Sequence, residues 1–192
     1  FLLDRVLALT ISENIQKGPI LDLCCGSGVI ATVLAKETGK TIYASDISKK
    51  ALDVTRKNLR RHSLASSVVL VQGNLFSHFS EKSNFSLIVS NPPYVSSFDV
   101  ANSLSPEVAV FEPHLALDGG VGGLELIKEI RDGLPMVLCP GGQCFIEIGA
   151  DQGEVVRRLF LEKIAGLPGF QHVEILVDYA GRDRVLHVRL EK

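Results

Sequence analysis

Three stretches of this 192-residue sequence combine residue types that can do chemistry. The first is Asp22-Leu23-Cys24-Cys25-Gly26-Ser27-Gly28. Gly26 and Gly28 allow positive φ in a tight strand-to-helix turn and let a ligand approach the backbone, with a helix amino terminus beyond. The turn lacks the third glycine of the dinucleotide fingerprint, because Ile30 and Ala31 follow. The second is Asp46, which closes the next apolar run. A carboxylate roughly 20 residues beyond a glycine turn can accept both hydroxyls of a ribose lying across the first two strand ends. Ser48 is the better helix cap at that point, which leaves Asp46 free for the ribose. After the third apolar run, Gly73-Asn74-Leu75-Phe76 offers an amide and an apolar side chain to an adenine edge, although Asn at that place is also ordinary turn chemistry.

The third stretch is Ser90-Asn91-Pro92-Pro93-Tyr94, at the end of the fourth apolar run. Two prolines fix φ and remove two backbone donors, so the Asn91 amide and the Pro92 carbonyl stand rigidly at the rim. The stretch presents acceptors, not bases. Methylation of a planar NH₂ group asks for that, because its lone pair is delocalised and its nitrogen barely nucleophilic. Two acceptors can take its hydrogens and turn the lone pair toward an in-line methyl donor, with dipoles in place for the charge that develops. Tyr94 can stack on the flat group or flank a sulfonium.

These residues need a frame that gathers strand ends. Short apolar runs at Ile20–Cys24, Thr41–Ser45, Val68–Val71, Phe85–Val89, Gln143–Ile148, Val173–Val177 and Val185–Leu190 alternate with stretches of helical period. The helical stretches carry Val29, Ile30, Val33 and Leu34, then Leu52, Thr55 and Leu59, later Leu124, Ile127, Arg131 and Leu134, and finally Val155, Val156, Leu159 and Phe160. An opening helix precedes them, ended by Gly18-Pro19. Strands alternating with helices imply a mostly parallel α/β sheet covered on both faces, whose ligands sit at the carboxyl ends of the strands. The last run alternates Leu186, Val188 and Leu190 with His187 and Arg189, which reads as a strand with one wetter face. Between Pro92 and about Gly123 the sequence reads as one long loop, a length that marks it as functional. Nothing suggests an internal boundary, so residues 1–192 read as a single domain.

Composition narrows the function. Twenty Lys plus Arg against 22 Asp plus Glu give a formal charge of −2, so no basic field exists to hold a polyanion. No apolar run is long enough for a membrane span and no leader is evident, so a cytoplasmic monomer without direct nucleic-acid or membrane partners is the expectation. Cys24 and Cys25 are adjacent and Cys139 and Cys144 flank a Pro-Gly-Gly turn, poor spacings for a metal, so the cysteines read as reduced packing residues and no metal is expected. The five histidines are scattered, and none stands beside a Ser or Cys nucleophile after a strand.

Taken together, Asp22-Leu-Cys-Cys-Gly-Ser-Gly28, Asp46-Ile47-Ser48, Ser90-Asn-Pro-Pro-Tyr94, Glu112-Pro113, Ala116-Leu117, Gly119-Gly120, Gly123-Leu124 and Glu147-Ile-Gly149 with Gln152 resemble the HemK, or release-factor glutamine N5-methyltransferase, family over essentially the whole chain. The resemblance implies a Rossmann-like class I methyltransferase fold, a seven-stranded sheet with an antiparallel last strand, and S-adenosylmethionine as donor with S-adenosylhomocysteine as product. It implies the glutamine of the Gly-Gly-Gln loop of class 1 peptide chain release factors as acceptor. Asp22, Cys24, Cys25, Gly26, Ser27, Gly28, Asp46, Ile47, Asn74, Leu75 and Asn91 would then hold the cofactor, and Asn91, Pro92, Pro93 and Tyr94 would clamp the glutamine. The family usually has Gly at Cys24, Asp at Asn74 and Asp at Gly122. It also carries an amino-terminal helical domain that helps recognise the release factor, and this chain reads as starting just after it. A ribosomal-protein glutamine methyltransferase shares nearly all the motifs. An adenine-N6 DNA methyltransferase shares the Asn-Pro-Pro-Tyr stretch but needs a phosphate-binding surface that the charge does not supply.

Overall fold

A computed structural model describes residues 1–12, 18–104 and 112–191. Seven strands form one sheet: β1 (Ile20–Leu23), β2 (Ile42–Asp46), β3 (Val68–Gln72), β4 (Phe85–Ser90), β5 (Leu138–Glu147), β6 (Phe170–Val177) and β7 (Asp183–Leu190). Their order is β3-β2-β1-β4-β5-β7-β6. The pairings from β3 across to β5 are parallel, and β7 runs antiparallel to both β5 and β6. The antiparallel last strand is thus wedged between its neighbours. The order reverses beside β1: the chain steps outward to β3, then returns to place β4 on the other side of β1. That reversal opens the crevice in which α/β sheets bind ligands.

The sheet is buried on both faces, as nearly continuous apolar strands require. Helices α1 (Leu2–Ser12), α2 (Val29–Thr38) and α3 (Lys49–Arg61) cover one face through Leu2, Val6, Leu34, Leu52 and Leu59. Helices α5 (Glu125–Val137) and α6 (Gly153–Leu161) cover the other through Ile127, Ile130, Leu134, Val156 and Phe160. In β1, Ile20 belongs to the first core and Leu21 and Leu23 to the second, the period of two that a strand imposes.

Four local readings of the sequence change. The stripe of α2 is Ala31, Leu34 and Ala35, while Val29 is 57% exposed. The Cys139–Gly142 turn lies inside β5 instead of ahead of it. Leu138 pairs with Phe85 and Gln143 with Leu87, so four residues bulge out between the two pairings, with Gly141 at φ 74°. His187 is only 6% exposed: it stacks on Phe145 at 4.2 Å, and its Nε2 donates to Gln143 Oε1 at 2.7 Å. The long loop after β4 contains a helix, α4 (Ser97–Asn102), capped by Ser96, whose hydroxyl accepts from the Asp99 amide at 3.0 Å. It also contains 3₁₀ turns at His114–Ala116 and Val121–Gly123, and its residues 105–111 lie outside the described residues.

Candidate functional site

A cavity of about 610 Å³ opens where β1, β2, β3 and β4 end. Cys24 to Ser27 form its floor, Asp46, Ile47 and Ser48 one wall, and Asn74 and Leu75 the wall beyond. Asn91 and Pro93 stand opposite, with Glu147 from the end of β5 beside them. Leu2 and Leu3 of α1, together with Glu112, Pro113 and Leu115, close the remaining side.

The glycine turn is fixed from two directions. Asp46 Oδ2 accepts from the Gly26 amide at 2.8 Å, and its Oδ1 accepts from the Ser48 amide at 2.8 Å. The Ser48 hydroxyl takes the Ala51 amide at 3.3 Å, the cap assigned to it from the sequence. Each carboxylate oxygen has two lone-pair sites, so Asp46 retains acceptor capacity for ligand hydroxyls after tying the turn to β2. From α3, the Thr55 hydroxyl donates to the Gly26 carbonyl at 2.8 Å, and Asn58 Nδ2 donates to the Ser27 carbonyl at 2.9 Å. Gly28 sits at φ 78°, and a Cβ there would come within 2.4 Å of Thr55 Cγ2. That glycine therefore serves helix packing and does not line the cavity. Gly26 lines it, at φ 54°, and a Cβ there would meet no protein atom within 4 Å.

Asp22 lies behind the turn, fully buried, with Oδ2 accepting from the Ala31 amide of α2 at 2.8 Å. Burial, partly offset by that bond and reinforced by Asp46, pushes its carboxyl up to about 8. Its Oδ1 has no partner among the described residues. Cys24 adopts φ 60°, the left-handed region that a glycine would occupy without strain. Burial pushes its thiol up to about 12 and raises that of Cys25 too, so neither is a nucleophile at neutral pH.

On the other side of the crevice, the Ser90 hydroxyl donates to the Leu23 carbonyl at 2.7 Å and locks the end of β4 to the end of β1. Asn91 follows, exposed, its side chain unbonded among the described residues. Pro92 is buried, Pro93 and Tyr94 are partly so. Tyr94 does not line the cavity: its hydroxyl donates to Glu147 Oε1 at 3.2 Å. Burial, with Glu147 adding to it, raises the phenol, so it stays a donor. The backbone behind this stretch is crowded, since a Cβ on Gly119 would lie 2.6 Å from the Pro93 carbonyl.

The structure thus brings Cys24 to Ser27, Asp46, Ile47, Asn74, Leu75, Asn91 and Pro93 to one cavity, leaves Asp22, Gly28 and Tyr94 as supports around it, and places Pro92, its ring buried, between the two cavity residues Asn91 and Pro93. Thr55 is among the residues missed as part of the site, with Asn58 and the cavity-lining Leu2 and Leu3. The signal for Thr55 was a hydroxyl inside the buried stripe Leu52, Thr55, Leu59, where an apolar side chain belongs.

The model of the methyltransferase small domain family matches residues 4–119. The release factor glutamine methyltransferases of Thermosynechococcus vestitus and Cereibacter sphaeroides are each 41% identical to this chain, over 94% and 89% of it and over 61% and 59% of their own lengths. The chain spans about three fifths of these curated relatives. Among solved structures, the ribosomal protein L11 methylase of Lactobacillus delbrueckii aligns over 99% of this chain and 79% of its own, with TM-score 0.64 and 18% identity. TrmN from Thermus thermophilus aligns over 97% and 47%, with TM-score 0.63 and 19% identity. An RNA methyltransferase from Salinibacter ruber, solved with S-adenosyl-L-homocysteine, aligns over 99% and 90% with TM-score 0.57 and 19% identity. These likenesses show a Rossmann-like class I methyltransferase fold.

Proposed function

Since the chain belongs to the methyltransferase small domain family, we propose that it methylates the side-chain nitrogen of a protein glutamine, with S-adenosylmethionine as donor. The acceptor proposed is the glutamine of the Gly-Gly-Gln loop of class 1 peptide chain release factors. The observation that carries this reading is the Asn91 amide, unbonded among the described residues, standing beside Pro93 across one cavity from Asp46.

The residues present fit the cofactor. Asp46 keeps acceptor capacity for ribose hydroxyls, the open space at Gly26 admits close approach to the backbone, and Ile47 and Leu75 supply apolar walls for a purine. When bound, the cofactor supplies an electrophilic methyl group on a sulfonium and leaves as S-adenosylhomocysteine. The protein orients the acceptor. Asn91 Oδ1 and the Pro92 carbonyl accept the two amide hydrogens of the glutamine, which holds its nitrogen lone pair toward the cavity. Those dipoles stand in place before charge develops on nitrogen, and that preorganisation lowers the barrier. No dedicated base is required, because the methylated amide cation is strongly acidic and gives its proton to water.

Among the described residues no helix is long and apolar enough to cross a membrane, and Cys24, Cys25 and Cys144 are thiols. The location and state we propose are a reducing cytoplasm and a monomer.

The test supplies labelled S-adenosylmethionine with a release factor, a large-subunit ribosomal protein and duplex DNA in parallel, and locates the label by mass spectrometry. Label on the release-factor glutamine is the expected result. Label on DNA alone overturns the amide reading, and label on the ribosomal protein alone corrects the acceptor.

A further inference from the structure

We propose that Gln152 is a positioning residue for methyl transfer, fixing from behind the backbone that carries the Asn91 and Pro92 acceptors. The inference rests on the amide-methylation reading above. Gln152 immediately precedes α6 and is 6% exposed. Its Oε1 accepts from the Gly149 amide at 2.8 Å. Its Nε2 donates to the Tyr94 carbonyl at 3.0 Å and to the Gly122 carbonyl at 3.2 Å, with the Gly123 carbonyl at 3.4 Å. One carboxamide therefore joins the end of the Asn-Pro-Pro-Tyr stretch, the glycine turn before α5 and the turn after β5.

The chemistry of these neighbours dictates the side chain. Three carbonyls need a donor on one side and a backbone N–H needs an acceptor on the other, a set that a carboxamide matches and a carboxylate does not. The approach is close because residue 123 is glycine: at φ 69°, a Cβ there would lie 2.0 Å from the Tyr94 oxygen and 2.7 Å from Gln152 Nε2. Tyr94 is tied a second time by its hydroxyl to Glu147. The stretch is thus anchored at its Tyr94 end, while the Asn91 side chain at the other end is unbonded among the described residues. Between them stand Pro92 and Pro93, whose rings fix φ, so an anchor at Tyr94 governs where the acceptors stand. Misplacing reacting groups by a fraction of an ångström to an ångström costs turnover far more than it costs cofactor binding.

Gln152→Met keeps the volume and removes every side-chain hydrogen bond, and Gln152→Glu keeps the acceptor and loses the donor. Both are assayed with a release factor as acceptor, each rate taken per cofactor-binding site by calorimetry and accompanied by thermal unfolding. The expected result for Gln152→Met is a kcat at least 10-fold lower with cofactor Kd within about twofold, because Asp46 and the Cys24–Gly28 turn are untouched. For Gln152→Glu, the ratio of variant to wild-type kcat rises as pH falls from 8 to 6, since a protonated carboxyl regains one donor. The Glu variant also keeps the test open if the Met variant fails to fold. A purely structural role predicts lower Tm with kcat per binding site unchanged and no pH rescue, and that pattern overturns the inference alone. Wild-type enzyme that transfers no methyl group to a protein glutamine overturns the earlier reading and this inference together.

Discussion

The two walls of the crevice are built differently. The Cys24–Gly28 and Asp46 wall is held by its own neighbourhood: β1, α2, β2 and α3 follow one another, and the turn's bonds run to Asp46, Thr55 and Asn58. The Asn91–Tyr94 wall is held from far along the chain, by Leu23 through Ser90 on one side and by Glu147 and Gln152 on the other. In the first wall the Asp46 carboxylate bonds the Gly26 and Ser48 amides and keeps acceptor capacity to spare. The second leaves its leading side chain, Asn91, unbonded among the described residues. On the function proposed above, the cofactor site is assembled locally, whereas the part that orients a weakly nucleophilic amide is braced by the rest of the domain.

Substitutions at the walls test that contrast. The largest effect is expected at the braced wall. Asn91→Ala should lower single-turnover methyl transfer about 100-fold or more while weakening cofactor affinity no more than about 3-fold. Near-normal transfer would erase the distinction between a wall that orients and a wall that binds. Next comes Asp46→Ala, which removes a charged acceptor and frees the Gly26 and Ser48 amides. Calorimetry should show cofactor affinity about 10- to 100-fold weaker, with kcat largely kept at saturation. Unchanged affinity would show that Asp46 serves the turn and not the ribose.

The smallest effect concerns a buried group beneath the first wall, the Asp22 carboxyl, whose Oδ1 has no partner among the described residues. Asp22 holds its proton in the folded protein up to about pH 8 but releases it near 4 when unfolded. The folded state binds the proton more tightly, so this carboxyl favours folding fully below about pH 4 and loses that contribution as pH rises toward 8. The urea midpoint of the wild type should therefore decline across that window more than that of Asp22→Asn. Parallel curves would mean that Asp22 is ionised and satisfied in the folded protein.

The contrast also explains what was legible in the sequence. Strand-helix alternation carried the α/β class, and the glycine turn, Asp46 and Asn-Pro-Pro-Tyr are written in contiguous residues. Their meeting at one cavity depends on β4 returning beside β1, which periodicity does not encode. Thr55 and Gln152 act through bonds to backbone carbonyls of distant segments, and such bonds place no constraint on neighbouring residue types. The bulge in β5 was hidden for another reason. Pro140, Gly141 and Gly142 are ordinary turn residues, and only the pairing of Leu138 with Phe85 shows that the strand begins before them. His187 looked wet because its ring is polar, yet stacking on Phe145 and a bond to Gln143 satisfy it in the core.

The bond from Ser90 to Leu23 spans 67 positions of the chain. Contacts of that separation form late, after the entropy of closing a long loop has been met. At roughly 5–20 residues per second, a ribosome delivers the β1-α2-β2 unit many seconds before Gln152 emerges. The nascent chain thus passes through an interval in which the first wall has been synthesised and the braces of the second have not.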